Sequence, residues 1–298
     1  GIGWYRKTFS SPLEVKDKNV FIDFDGVYRN SEVWINGQYL GIRPYGYSSY
    51  EYDLTPYFKS PGNDNVIAVK VDNSQQPNSR WYSGSGIYRN VRLITTDKIH
   101  VDHWGTFITT PEISTKSSLV KLRIRVINSG TQSRTIDLKS TIFNSDGQKV
   151  AVTDSHSILI EPGKILEDSL ITEVKSPLLW STEEPYLYKA TTIIEYDGTT
   201  KDSYDTPFGI RYFEFDVSKG FSLNGKSMKI LGVCNHHDLG CLGAAVNTRA
   251  IERQLEMLKE MGCNAIRTAH NPPAPELLDL CDKMGFLVMD ESFDMWKM

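Results

Sequence analysis

The spacing of apolar residues divides the chain into a long stretch of period two and a shorter stretch of helical period. Val120-Lys-Leu-Arg-Ile-Arg-Val126 alternates apolar and cationic side chains, the pattern of a strand buried on one face and solvated on the other. Glu32-Val-Trp-Ile35 and Gln38-Tyr-Leu40 flank Asn36-Gly37, a strong hairpin signal because both turn residues tolerate positive φ. Val66 to Val71 predicts a further strand behind the loop Pro61-Gly-Asn-Asp64, and Asn128-Ser-Gly130, Asp146-Gly147 and Asp197-Gly198 mark more turns. Short strands at this spacing predict two β-sandwiches, over residues 1–97 and 98–212, the second of immunoglobulin-like architecture. Aromatics are dense in the first: Trp4, Tyr28, Trp34, Tyr45, Tyr47, Tyr50, Tyr52, Trp81 and Tyr82 are expected mainly to pack between its sheets.

From Phe221 the period changes. Met228-Lys-Ile-Leu-Gly-Val233 predicts a strand. Thr248 to Met261 predicts a helix, with Ile251, Leu255, Leu258 and Met261 on one face and Asn247 or Thr248 as N-cap. Ala265-Ile-Arg267 predicts a second strand. Pro272, Pro273 and Pro275 then lead into a helix from Glu276 to Met284, stopped by Gly285, and Phe286 to Met289 predicts a third strand. This β-α-β-α-β order means parallel strands with right-handed crossovers, the opening of a TIM (β/α)8 barrel over residues 213–298. Three strands cannot close such a barrel, so a truncated one is expected. The fold class is multidomain and mainly β.

Composition narrows the function classes. The 298 residues are 40% hydrophobic and 23% charged with a net charge of −4, an ordinary globular balance without the basic blocks of a nucleic-acid or membrane-surface binder. No apolar run approaches the ~20 residues of a transmembrane helix. No secretory leader precedes Gly1-Ile-Gly-Trp4, and a trimmed N-terminus would look the same, which leaves the compartment open between periplasm, exterior and cytoplasm. Cys234, Cys241, Cys263 and Cys281 all fall in the last part of the chain without C-x-x-C spacing, and are expected to be buried free thiols.

The candidate chemistry lies at the predicted strand ends, where barrels build their sites. His236-His237-Asp238 follows the first strand. Adjacent residues of an extended chain point opposite ways, which disfavours one metal on both histidines and leaves a histidine that hydrogen-bonds a ligand hydroxyl or holds a carboxylate. Arg267 and His270 follow the second strand, where arginine can fix a carboxylate by a bidentate contact. Asp290-Glu291 follows the third. Two carboxyl groups that act together as acid and nucleophile on one bond must converge, ~5–5.5 Å apart. Neighbours on one strand diverge, so these two are expected to be supporting groups. Ser83-Gly-Ser-Gly-Ile-Tyr-Arg89 lacks the Gly-Lys-Ser/Thr ending of a phosphate loop.

Along essentially its whole length the chain resembles glycoside hydrolase family 2, which holds β-galactosidases, β-glucuronidases and β-mannosidases. Gly3-Trp-Tyr-Arg-Lys7, Asp25-Gly-Val-Tyr28, Val33-Trp-Ile-Asn-Gly37 and Arg80-Trp-Tyr-Ser-Gly-Ser-Gly-Ile-Tyr-Arg89 resemble its N-terminal sugar-binding jelly roll. Leu179-Trp-Ser181 and Pro185-Tyr-Leu-Tyr188 resemble the end of its immunoglobulin-like domain, and Asn264 to Pro273 its arginine-and-histidine barrel signature. The resemblance implies a retaining exo-β-glycosidase, of β-galactosidase type in sequence style, with β-glucuronidase the rival. It implies that His236 and His270 contact substrate or catalytic carboxylates, that Arg267 orients the nucleophile, and that Asp290 and Glu291 support the site. Arg80 and Trp81 would reach the sugar site from a jelly-roll loop. The acid/base and nucleophile glutamates would lie on later strands, beyond Met298, making this chain inactive alone. Two departures stand out: Asn271 replaces the more usual tyrosine of His-Tyr-Pro, and Phe293-Asp-Met-Trp296 stands where some β-galactosidases carry magnesium ligands. The expected partner is carbohydrate, with no nucleic acid, no membrane, no cofactor and no metal in this chain, although a cation in the parent and a homo-oligomer are allowed for. The competing reading is a non-catalytic pair of sandwiches that binds carbohydrate or mediates assembly.

Overall fold

The computed structural model describes residues 1–11, 15–59, 61–75 and 82–293. Arg80, Trp81 and the run 294–296 lie outside them. By contacts the chain forms two compact units, one of Gly1–Thr95, Leu231–Cys281 and Phe286–Met298, the other of Thr96–Ile230 and Asp282–Gly285.

In the first unit a jelly-roll β-sandwich is built from two main sheets. One has the order Ile2–Ser10, Asp64–Asp72, Ser31–Ile35, Gln38–Arg43, and the other Tyr50–Asp53, Asn19–Phe24, Val91–Thr96. The hairpin at Asn36-Gly37 pairs Ile35 with Gln38, and both turn residues have positive φ, 51° and 87°. Alternation then decides what is buried: Val33, Ile35, Val69 and Val71 face inward with Phe24 and Leu54. The aromatics divide more evenly than the sequence implied. Tyr28, Tyr47, Tyr50 and Tyr88 are buried, whereas Trp4, Trp34 and Tyr39 form a row on the outer face, with successive ring centroids 5.3 Å apart. The reason is register: Trp4 and Trp34 flank Lys70 and Ala68 on the solvent side of the pleat.

The same unit holds the opening of the TIM barrel. Strands Gly232–Asn235, Ala265–Thr268 and Leu287–Met289 pair in parallel in that order. The first begins later than its apolar run suggested. Met228, Ile230 and Leu231 precede it, and Leu231 N and O instead meet Asn264 at the edge of the next strand. The helix Thr248–Glu260 starts at Asn247, whose side chain accepts from Ala250 N at 3.0 Å. It buries Ile251 and Leu255, while Met261 is its exposed C-cap rather than part of its apolar face. The helix Pro275–Met284 follows, and Gly285 (φ 76°) ends it.

The second unit is an immunoglobulin-like sandwich. Strands Ile99–Ile113, Ser117–Asn128 and Ile165–Lys175 make one sheet. The other runs Lys149–Val152, Arg134–Phe143, Tyr188–Tyr196, Thr199–Phe208, with His156–Ile160 also on Arg134–Phe143. Val120, Leu122, Ile124 and Val126 face the core, and Lys121, Arg123 and Arg125 face water. Among the cysteines only Cys281 is buried; Cys234 and Cys241 are exposed and Cys263 is intermediate, against expectation. Cys234 lies beside Arg267 on the parallel sheet, and Cys241 sits in the short turn Gly240–Leu242.

Candidate active site

Strand pairing brings the candidate residues together from three chain segments. Arg267 is opposite Cys234 and Met289 in the parallel register, so residues just beyond each strand collect at one end of the sheet. There the Arg267 Nε and Nη2 donors are paired with Glu291 Oε1. His270 Nδ1 lies 2.8 Å from Glu291 Oε2 and 3.5 Å from Arg267 Nη2. The His236 and His270 rings meet edge to face, their centroids 5.4 Å apart. Asp290 and Glu291, just beyond the strand Leu287–Met289, engage different partners. Asp290 accepts from Thr268 Oγ1 at 2.9 Å, while Thr268 Oγ1 itself accepts from Glu291 N at 3.0 Å.

This arrangement fixes the charge on Glu291. Burial pulls its carboxyl upward, but hydrogen bonds from His270 and Arg267, together with their charge, outweigh that and hold it below the ordinary glutamate value of 4.5. The result is an ionised carboxylate held on both oxygens, while Arg267, at 41% side-chain exposure, stays open to solvent. Such a cluster can bind and orient hydroxyl and carboxylate groups. It does not contain two converging carboxylates.

His236 and His237 meet different partners, although both line one cavity. His237 Nε2 donates to Ser83 O at 3.2 Å, and its ring packs against Tyr47 and Tyr88, centroids 5.3 and 5.8 Å away. Burial lowers its pKa, so the neutral ring is favoured there. The jelly roll touches the loops after the other two strands as well. Arg89 Nη2 donates to Pro272 O at 2.7 Å, and Tyr45 OH donates to Ser292 O at 3.0 Å. Arg92 bridges Asp25 and Glu276, at 2.6 and 3.2 Å. All three strand-end loops therefore carry a hydrogen bond to the β-sandwich that precedes them by more than a hundred residues.

Sequence reasoning missed Tyr45, Arg89, Arg92 and Glu276. Periodicity carries no signal for such contacts, because each joins residues too far apart in the chain to share a pattern. The dense aromatic content of the first segment was the sole visible trace. Arg80 and Trp81, expected at the sugar site, lie outside the described residues. Among the described residues no group of three or more His, Cys, Asp and Glu side chains is arranged to hold a metal ion.

A jelly roll hydrogen-bonded to the loops that follow three parallel β/α strands, with arginine and histidine gripping a carboxylate there, defines a multidomain, mainly β protein that opens a TIM barrel. Three family descriptions match consecutive segments: the family 2 glycosyl hydrolase sugar-binding domain at residues 1–97, the family 2 domain at 99–211, and the family 2 TIM barrel domain at 216–295. The chain belongs to glycoside hydrolase family 2. It is 56% identical to a β-galactosidase of Bacteroides ovatus over 297 residues, covering 100% of this chain and 35% of that protein. A solved family 2 structure from Bacteroides cellulosilyticus superposes with a TM-score of 0.95 at 40% identity, covering 99% of this chain and 40% of the other. A Bacteroides uniformis β-glucuronidase does so at 0.91 and 32% identity, covering 98% and 36%. The chain spans about a third of the length of the curated relatives it matches.

Proposed function

We propose that the protein to which this chain belongs is a retaining exo-β-glycosidase that removes terminal β-D-galactosyl residues. The observation that carries this is the Arg267–His270–Glu291 cluster at the strand ends of a family 2 barrel segment. The choice of sugar is supported by the β-galactosidase at 56% identity. In the reaction, one carboxylic acid protonates the leaving oxygen while a second carboxylate attacks the anomeric carbon; water then releases the sugar with the first group acting as base. Asp290 is engaged by Thr268 and Glu291 by Arg267 and His270, so the converging pair is assigned to other residues of the protein. On this reading Arg267 and His270, held to Glu291, form one wall of the site, and the role of His236 in meeting sugar hydroxyls is supported by its ring contact with His270. A β-glucuronidase is the second reading, favoured by the likeness to the Bacteroides uniformis enzyme.

The test is release of nitrophenol from aryl β-galactoside, β-glucuronide and β-mannoside, with the full-length protein and the 298-residue chain compared. The galactoside should be the preferred substrate of the full-length protein, and the shorter chain should turn over none of the three. Preference for the glucuronide would replace the sugar and keep the reaction. Turnover by the 298-residue chain would overturn the assignment of the carboxylate pair to other residues.

A further inference from the structure

The loop between the second parallel strand and the second helix carries His270, yet it has few means of holding its own shape. Pro272, Pro273 and Pro275 bring no amide hydrogen, so little of the loop can be fixed by bonds within itself. His270 nevertheless keeps its Nδ1 2.8 Å from Glu291 Oε2. At the start of the loop Ala269 N donates to Asn235 O at 3.0 Å, and beyond His270 the restraint comes from the jelly roll. Arg89, 6% exposed, donates from Nη2 to Pro272 O at 2.7 Å and from Nη1 to Tyr47 O at 2.9 Å and Asp25 O at 3.3 Å. Asn90 and Arg92 both reach Glu276, in the first turn of the helix that the loop feeds. One stretch, Arg89–Arg92, thus grips the loop at Pro272 and again where it becomes helix.

We propose that Arg89 is a positioning residue for the candidate site, setting the His270 loop so that the imidazole meets Glu291. This rests on the glycosidase reading above. Burying a guanidinium costs free energy, and Arg89 offsets part of it through three backbone carbonyls, whose positions are fixed by the chain and not by a side-chain rotamer, while its Nε has no hydrogen-bond partner. Its planar fork addresses carbonyls in several directions at once, a geometry that a lysine ammonium on a flexible stem does not reproduce. Two of those carbonyls, Asp25 O and Tyr47 O, belong to the jelly roll and the third to the loop, so the guanidinium acts as a rigid spacer between them. Glu291 is held ionised partly by His270, so a displaced loop would loosen the carboxylate as well as the histidine.

The experiment uses the full-length protein with Arg89→Gln and Arg89→Lys. For each, kcat and KM are measured on the aryl glycoside that the wild type turns over best, rates are normalised to folded protein, and a crystal structure is determined. For R89Q, kcat should fall roughly 10- to 100-fold, the scale for misplacing a site group by about 1 Å, with KM changed far less and the His270 ring drawn away from Glu291. R89K keeps the charge and one carbonyl contact, so it should recover part of the loss. An unchanged kcat, a loss that vanishes on normalising to folded protein, or an unmoved His270 overturns the proposal. If R89Q does not fold, R89K carries the test by the same readouts. A wild type inactive on every glycoside would defeat the functional reading, and the position of His270 in the variant crystals would still decide the role of Arg89.

Discussion

Glu291 receives hydrogen bonds on both oxygens, and that makes its charge the most consequential one at the candidate site. Glu291→Gln keeps the shape and removes the charge, so Arg267 and His270 lose the charge-assisted partner that orients them. On the function proposed above, kcat/KM of the full-length protein on an aryl β-galactoside should fall roughly tenfold to a hundredfold. His237 supplies a pH test. Its pKa is depressed mainly by burial, helped by Arg89 and His236 and opposed by Ser83 O and Asp238. A depressed histidine contributes stability that is complete above the unfolded value of about 6.5 and is lost as pH falls below it, because the unfolded chain takes up the proton first. His237→Gln keeps a donor for Ser83 O and cannot titrate. Between about pH 7.5 and pH 5.5, a window that brackets the imidazole, the thermal midpoint of the wild type should fall further than that of H237Q. Equal falls would mean that the ring does not govern this window. At this scale the proximity of His236, Arg267, His270 and Glu291 was legible in the sequence because each follows an apolar run within a few residues. Arg89 was not, since its loop partner Pro272 lies 183 positions away.

Among the elements, those with their own punctuation were the readable ones. Asn36-Gly37 and Asp197-Gly198 each close a hairpin by local backbone preference, and Asn247 and Gly285 bracket helical segments for the same reason. The first parallel strand was misplaced because apolar content does not say where pairing begins; Ala265 and its neighbours decide that. Replacing Asn247 by alanine removes the cap on Ala250 N and should cost about 1 kcal/mol in urea unfolding. The long strand Ile99–Ile113 contains an irregularity between Val101 and Thr106 that the sequence did not announce. At its end, a Cβ on Gly105 would lie 2.5 Å from Asp102 O and 2.9 Å from Arg125 O, both backbone atoms that cannot swing aside. Gly105→Ala should therefore destabilise the immunoglobulin-like sandwich by roughly 1–3 kcal/mol. A stability equal to wild type would show that the bulge relaxes freely.

For the whole molecule, the two compact units have separate hydrophobic cores, one around Phe24, Val33 and Leu54 and the other around Leu122, Ile124 and Ile136. Leu122 is 1% exposed, so Leu122→Ala should cost roughly 2–5 kcal/mol. Hydrogen exchange should quicken across strands Ser117–Asn128 and Ile165–Lys175 and change little in Asn19–Phe24. Uniform acceleration over both units would show that they unfold as one. The mainly β sandwiches and the β-α-β-α-β order were visible in the sequence because they follow from periodicity. The closing of the first unit from distant segments was not, since no local pattern records which surfaces will meet.

That closing from distant segments has a consequence for synthesis. The jelly roll is complete by Thr95, but the strands that join it begin only at Leu231, after the whole of Thr96–Ile230 has been made. At 5–20 residues per second the ribosome needs on the order of ten seconds or more to cross that interval. During it Tyr45, Tyr47, Tyr88 and Arg89 wait without His237, Pro272 and Ser292. A nascent chain paused within the insertion would display this unsatisfied face to chaperones, and pulse-chase proteolysis on stalled ribosomes would find it protected only after Ser292 has left the exit tunnel.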